Sequence, residues 1–311
     1  MSSEILLWVA FNFFIFALLF LDLAVFHRKT HVIQVKEAFL WSAFWIGLAF
    51  LFNGGVYFFK GPDLALQFLT AYLLEESLSV DNLFVFIQLF LYFKIPALYQ
   101  HKILFWGILG VVVMRATFIL GGVALIQQFQ WIIYVFGGFL ILTGFKMASG
   151  KEREIRPEKN PVLKLFKHFI PVTTSYDGGN FFVRQQGKVF ATPLLVTLLM
   201  VEMTDVVFAI DSIPAVLAIS SDPFIVYSSN LMAVLGLRSL YFALAGMMTL
   251  FHYLKYGISI ILVFIGIKML LFHVIHISVL TSLLILAIVL GGSILLSILK
   301  PPKEDSSLRS E

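Results

Sequence analysis

Nine stretches of this chain are mostly apolar over about 20 residues or more, the length a helix needs to cross a bilayer. They run near 5–26, 38–59, 63–93, 103–126, 131–149, 190–220, 231–251, 257–273 and 277–299. The chain has 311 residues, of which 60% are hydrophobic and only 13% charged. Its mean hydropathy is +0.95. A soluble chain is about 45–50% apolar and about 25% charged. A water-soluble fold of this size still needs a polar skin that this composition does not supply. A soluble enzyme, a disordered chain and a basic nucleic-acid binder are therefore excluded. The expected fold is all-α: a polytopic membrane helical bundle of about nine spans. There is no cysteine, which removes disulfides, thiolate metal sites and a cysteine nucleophile.

The first stretch carries Glu4 where a signal peptide would be basic, and no small-residue cleavage site follows it, so it reads as a retained helix. The basic residues orient the chain. Of the 22 lysines and arginines, 17 fall in one set of alternate loops, eight of them between Lys151 and Lys188. The opposite loops hold only Lys60, and Arg115, Lys146, Arg238 and Lys268 lie in or at the ends of spans. The positive-inside rule makes the basic loops cytoplasmic. The N-terminus is then outside, the C-terminus is cytoplasmic, and the short loops favour a bacterial inner membrane. Within the polar segment 150–189, Asn180 to Lys188 reads as a short hairpin.

Two parts of the chain resemble each other. Glu75 stands six before Asp81, which is followed by Asn82; Asp205 stands six before Asp211, which is followed by Ser212. Arg115 then parallels Arg238, and Thr143-Gly-Phe-Lys146 parallels Ile265-Gly-Ile-Lys268. Each copy covers three spans. Three is odd, so the second copy enters from the opposite side, the inverted repeat of many secondary transporters. The expected organisation is two N-terminal spans (1–62), a first three-helix repeat (63–149), a cytoplasmic loop (150–189), a second repeat (190–273), and a last span with a tail (274–311). Pro214 removes a backbone donor, so the sixth span is expected to break or kink beside its carboxylates.

Seven acids fall within the spans: Asp22, Glu75, Glu76, Asp81, Glu202, Asp205 and Asp211. Each costs about 2.5–3.5 kcal/mol at a helix centre, and seven facing lipid would cost on the order of 20 kcal/mol. They must face a cavity, be neutralised, or both. Arg115 and Arg238 can neutralise two by charge pairing, while Lys146 and Lys268 sit where they would snorkel. Bound cations or protons account for the remainder. The repeat-matched acids Glu75, Asp81, Asp205 and Asp211, with Asn82 and Ser212, form the candidate metal set. Their oxygen-only chemistry suits Mg²⁺, Ca²⁺ or Mn²⁺ better than zinc or copper. Asp22, Glu76 and Glu202 are secondary candidates for metal or proton relay, because Glu76 and Glu202 lack an acidic counterpart in the other repeat and Asp22 stands alone on the first span. The plainer reading of any one of these acids is a protonated carboxyl hydrogen-bonded between helices.

Other features argue less. His273 and His276 have metal-like spacing, but interfacial histidines are ordinary at a membrane edge. The doublets Gly54-Gly55, Gly121-Gly122, Gly137-Gly138 and Gly291-Gly292 suggest close helix packing. No nucleotide-binding or hydrolase motif occurs; the chain reads as no enzyme, with no resident cofactor and no nucleic-acid partner.

Leu74-Glu-Glu-Ser-Leu-Ser-Val-Asp-Asn-Leu-Phe-Val-Phe86, Val201-Glu-Met-Thr-Asp-Val-Val-Phe-Ala-Ile-Asp-Ser-Ile-Pro-Ala215 and the run from Asp222 to Leu240 resemble the TerC family of integral membrane proteins, close to its Alx-like branch. Leu21 to His27 and Thr192-Pro-Leu194 fit the same pattern. The resemblance implies membership of the LysE-like transporter superfamily, inverted three-helix repeats, and manganese export from the cytoplasm. It carries the family's acidic motif positions onto Glu75, Asp81, Glu202, Asp205 and Asp211, with Asp22 in the first helix. Glu76 departs from the pattern, in which an aromatic residue is common. The implied function is export of a divalent cation, Mn²⁺ first and Ca²⁺ second, with the lipid bilayer and protons as partners. The alternatives are a calcium or proton-coupled cation exchanger, and a non-transporting membrane stress-response component, since older family labels mention tellurium resistance and a redox modulator.

Overall fold

The computed structural model describes residues 2–24, 34–129, 131–149, 163, 166, 168, 170–173, 176–185, 188–246, 253–271, 274 and 277–299; the side chains at 2, 3, 22–24, 81, 127 and 177 are outside that description. Nine α-helices occur among the described residues: α1 (Ser2–Ala24), α2 (Val35–Lys60), α3 (Pro62–Tyr92), α4 (Ala97–Gln128), α5 (Ile132–Ala148), α6 (Pro193–Leu217), α7 (Pro223–Ala245), α8 (Leu254–Leu270) and α9 (Val279–Leu299). They follow the nine apolar stretches in order. In a bilayer every backbone donor needs a partner within the chain, and a helix supplies one residue by residue. Five helices (α1, α2, α4, α6 and α9) are long and apolar enough to cross a membrane on length and composition alone.

The ends are set by local chemistry. Proline occupies the first position of α3, α6 and α7, where its missing N–H has no helical partner to lose. Asp222 caps α7, its Oδ1 accepting from the N–H groups of Phe224 at 2.8 Å and Ile225 at 3.1 Å. That cap starts α7 at residue 223, eight residues before the stretch near 231, because the polar Ser228-Ser229-Asn230 run is buried in the protein and needs no lipid-compatible surface. Gly61, at φ +94°, is the single-residue joint between α2 and α3.

The expected break at Pro214 does not occur. α6 runs unbroken from Pro193 to Leu217, with Pro214 three residues before its end. In the last turn a lost donor and a ring clash cost less than they would mid-helix, since the ladder stops there anyway. α3 is also continuous over 31 residues, about 46 Å at 1.5 Å per residue.

The packing interleaves the halves of the chain. α3 lies on α7, α4 on α6, and α5 on α8. α5 also touches α6, and α8 touches α3. α7 is central, sealed by α1, α2, α3 and α4, and an aromatic cluster of Trp8, Phe11, Phe52, Phe224 and Tyr227 joins its N-terminal end to α1 and α2. α5 and α8 are closest. A Cβ at Gly266 would fall 2.6 Å from the Gly137 carbonyl oxygen and 2.7 Å from the Ile141 side chain. A Cβ at Gly144 would fall 2.8 Å from the Ser259 carbonyl oxygen and 2.7 Å from the Val263 side chain. Rising numbers on α5 meet falling numbers on α8, so the two helices run antiparallel.

The glycine doublets are mostly not the contacts. A Cβ at Gly54, Gly55, Gly121, Gly138, Gly291 or Gly292 would meet nothing within 4 Å. Those positions border open space among the described residues. Gly122 and Gly137 do sit in contact.

The 150–189 segment contributes a two-stranded antiparallel hairpin, β1 (Phe182–Gln185) and β2 (Lys188–Ala191), shifted toward α6 relative to the 180–188 expectation. It is anchored to the α3–α4 turn. Tyr176 Oη donates to the carbonyls of Phe93 at 2.6 Å and Lys94 at 3.0 Å. Lys102 Nζ donates to the Gly179 carbonyl at 2.7 Å and lies over the Phe181 ring.

Candidate functional site

The polar centre of the bundle is built around Arg115 of α4. α4 packs against α6 and α7, and the Arg115 side chain reaches both across that contact. Arg115 is 0% exposed. Its Nη2 and Nε donate to Oδ1 and Oδ2 of Asp205 at 3.1 and 3.3 Å, a two-point grip on one carboxylate. Its Nη1 donates to Glu75 Oε1 of α3 and, at 3.0 Å, to Asn230 Oδ1 of α7. The guanidinium thus ties four helices together, with Glu75 and Asn230 at 0% exposure and Asp205 at 1%.

A paired guanidinium and carboxylate in low dielectric attract strongly, yet the desolvation of each offsets much of that gain. Here two carboxylates share one guanidinium. With both ionised, the triad keeps one negative charge. Among the described residues, Glu75 Oε2 and Asn230 Nδ2 are buried with no hydrogen-bond partner. Ser79 Oγ and Ser212 Oγ, on the same two acid-bearing helices, are also buried without one.

The other candidates are distributed around this centre. Asp211, 7% exposed, accepts from Thr143 Oγ1 of α5 at 3.2 Å. It is six residues beyond Asp205 on an unbroken helix, about 9 Å along the axis and turned by about 240°, so the two aspartates of α6 meet different neighbours. Asn82 and Ser212 are buried. Glu202 lies one turn before Asp205, and its carboxylate is pressed against the α4 backbone at Gly110, where any Cβ would collide with it. Glu76 turns to α7, where its Oε1 would lie 3.7 Å from a Cβ at Gly236. Arg238 is buried on α7 at 4% exposure. Asp22 is on α1 and Asp81 on α3, but their side chains fall outside the described residues, as do His27, His273 and His276 entirely. Lys146 is exposed, whereas Lys268 is part-buried and donates to Ser282 Oγ of α9 at 2.9 Å.

Glu75 and Asp205 therefore come together on Arg115, while Asp211, six residues further along α6, accepts from Thr143 of α5. Among the described residues no three His, Cys, Asp or Glu side chains gather into a metal-holding group. The donors that do converge, three carboxylate oxygens and an amide oxygen, converge on a guanidinium. Asn230 and Thr143 were not named as site residues from the sequence. Asn230 carried a signal, being the end of a polar triplet in an otherwise apolar helix. Thr143 had none beyond its place in the repeat.

No solved structure matches the chain. Among curated proteins, an uncharacterized membrane protein of Myxococcus xanthus is 50% identical over 294 residues, covering 94% of this chain and 92% of that protein. The proteins named "Putative membrane-bound redox modulator Alx" are 45% identical in Escherichia coli K12, over 89% of both chains, and 42% identical in Salmonella typhi, over 98% of both. The model of the integral membrane protein TerC family matches residues 60–305. That span runs from the Gly61 joint to beyond α9 and takes in every helix that touches Arg115. On these matches and this architecture, the chain belongs to the integral membrane protein TerC family.

Proposed function

We propose that this protein carries a divalent cation, Mn²⁺ by preference, across the membrane through a site that Glu75 and Asp205 form between two inverted repeats. The observation that carries the reading is the Arg115 cluster: three carboxylate oxygens and the Asn230 carbonyl oxygen surround one guanidinium, out of reach of water. Withdrawal of that guanidinium leaves a charge of −2 among oxygen donors alone, the balance and ligand type a hard divalent ion needs. In the described state Arg115 supplies the positive charge that compensates the two carboxylates. We assign Asp81, Asp211, Asn82 and Ser212 to the same cation path on their repeat-matched positions in the sequence, and Glu202 and Glu76 to proton exchange.

The inverted repeat is supported by the α5–α8 contact. Pairing Lys146 with Lys268 also pairs Gly144 with Gly266, Gly137 with Ser259 and Ile141 with Val263. The contacts of Gly266 on Gly137 and Ile141 then become those of Gly144 on Ser259 and Val263, which are the ones present. Equivalent helices that run antiparallel are what an inverted repeat requires. The basic loops favour a cytoplasmic C-terminus. Outward movement is the direction the family resemblance implies. The redox name of the Alx relatives finds no thiol in this chain to act through.

The test is flux of Mn²⁺, Ca²⁺ and Mg²⁺ into sealed vesicles holding the purified full-length chain, with and without a pH gradient. Mn²⁺ flux that rises with the gradient and falls about tenfold or more in Asp205→Asn is expected, the size of effect that losing one charged ligand produces. Calcium flux in place of manganese would move the reading to a calcium–proton exchanger. No flux of any cation, or wild-type flux in both Asp205→Asn and Glu75→Gln, would end it.

A further inference from the structure

The repeat anchors exchange Glu75 with Asp205 and Arg115 with Arg238. Applied to the charged cluster, this exchange has an uneven result. The carboxylate pair is its own image. The arginine that holds it is not, for the image of Arg115 is Arg238. Among the described residues, Glu75 and Asp205 accept from Arg115 and from no other side chain. Arg238 is buried nearby on α7, the helix that carries Asn230 and packs on α3. It is eight residues beyond Asn230, about 12 Å along the axis.

We propose that Arg115 and Arg238 take turns on the Glu75–Asp205 pair: the described state, with Arg115 engaged, has a counterpart in which the two repeats exchange conformations and Arg238 grips the same two carboxylates. The inference rests on the carrier reading and on the inverted repeat, and it names the gate of that carrier. An inverted repeat can occupy two opposite-facing states of equivalent internal packing, because each half can adopt the arrangement of the other. The helices that would slide are already interleaved between repeats, α3 on α7 and α4 on α6.

The charges make the hand-over necessary. A buried carboxylate pair left without a counter-charge is strongly destabilised. Two guanidinium groups and a divalent ion together would put +4 against −2. So one arginine, the cargo, or the other arginine can hold the pair, and each excludes the rest. Leakage through an empty site is suppressed for the same reason.

One feature breaks the symmetry and explains which state is populated. The image of Asn230 on α4 is position 107, a glycine packed against Val201 and Leu198. Asn230 accepts a third hydrogen bond from Arg115, at 3.0 Å. Gly107 has no side chain to do so for Arg238. The state with Arg115 engaged is therefore the lower in energy without cargo.

The chain has no cysteine, so single-cysteine reporters can be placed without background. Ser77 on α3 and Val207 on α6 are repeat-equivalent and differ in exposure, at 8% and 47%. Ser77→Cys and Val207→Cys, each in the full chain in vesicles, are labelled with a maleimide. Arg115→Gln is expected to shift the two reporters in opposite senses by about tenfold, the change that moves a minor state to dominance. Arg115→Lys, which keeps the charge, should restore most of the wild-type labelling. Because Arg115→Gln can fail to fold, the same reporters are also read in Glu75→Gln/Asp205→Asn. There, neither arginine has a pair to hold, and adding Arg115→Gln should change nothing further. Reporters that move together, do not move in folded Arg115→Gln, or respond to Arg115→Gln in the neutralised background would overturn the proposal. The readout needs no cargo. Reporter exchange without cation flux would therefore sink the carrier reading alone, and flux without reporter exchange would sink the hand-over alone.

Discussion

The α5–α8 interface and the Arg115 cluster both join the two segments proposed as repeats, and they use that relation in opposite ways. At α5–α8 the contacts are duplicated: glycine on carbonyl at each end, with Ile141 and Val263 in matching places. At Arg115 one guanidinium holds both carboxylates of a repeat-matched pair. One arginine, one asparagine and one threonine serve acids that the repeat supplies in pairs. Packing tolerates symmetry because a close contact between two helices is satisfied equally from both sides. Charge does not, because a carboxylate pair that already holds one cation has no room for its image. The dry interface fixes the relation of the halves, and the charged one is where the proposed states would differ.

The largest expected effect strikes the charged region. Arg115→Leu leaves Glu75 and Asp205 buried without a cation and should destabilise the fold by about 3–5 kcal/mol. Arg115→Leu with Glu75→Gln and Asp205→Asn should recover much of that loss, since the unpaired charges are then gone. Thermal unfolding in detergent would show it. A triple variant no more stable than Arg115→Leu would mean that the guanidinium matters by its shape and packing, and the contrast with α5–α8 would lose its basis.

A smaller effect is expected in the dry region. Gly266→Ala puts a methyl 2.6 Å from a backbone carbonyl that cannot turn aside, and overpacking of this kind costs about 1–3 kcal/mol. Gly144→Ala should match it if the symmetry is energetic as well as geometric. Gly292→Ala, with nothing within 4 Å, should be neutral or slightly stabilising through helix propensity. Unequal losses at 144 and 266 would sharpen the comparison by showing which half bears the strain.

The smallest effect lies outside both regions. Tyr176→Phe removes a donor to two carbonyls and should cost about 1 kcal/mol. Burial raises the Tyr176 phenol above its usual pKa, so the folded chain holds that proton more tightly than the unfolded one. This contribution is complete below the ordinary tyrosine range and fades as the pH climbs through it. A wild-type chain that loses more stability at alkaline pH than Tyr176→Phe would bear this out; parallel profiles would not.

The helices were legible because apolar runs of sufficient length leave the backbone little else to do. Their ends were less so. The start of α7 was missed because hydropathy skips Ser228, Ser229 and Asn230, while the cap at Asp222 and Pro223 marks the boundary. Pro214 was over-read, since its effect depends on how many turns follow it. Glu75, Asp205 and Arg115 could all be named from the sequence. That they meet each other, while Asp211 meets Thr143, depends on which face of α6 each neighbour covers, and a six-residue spacing leaves that open. The glycine doublets drew attention by their repetition, yet single glycines at 144 and 266 make the close approach.

The hairpin anchored at Tyr176 and Lys102 joins the turn between α3 and α4 to the entrance of α6, which the proposed repeat assigns to different halves. Any rocking of one repeat on the other must stretch or carry that tether. Motion is then freest at the opposite end of the bundle, so the two faces of this protein should open to different widths.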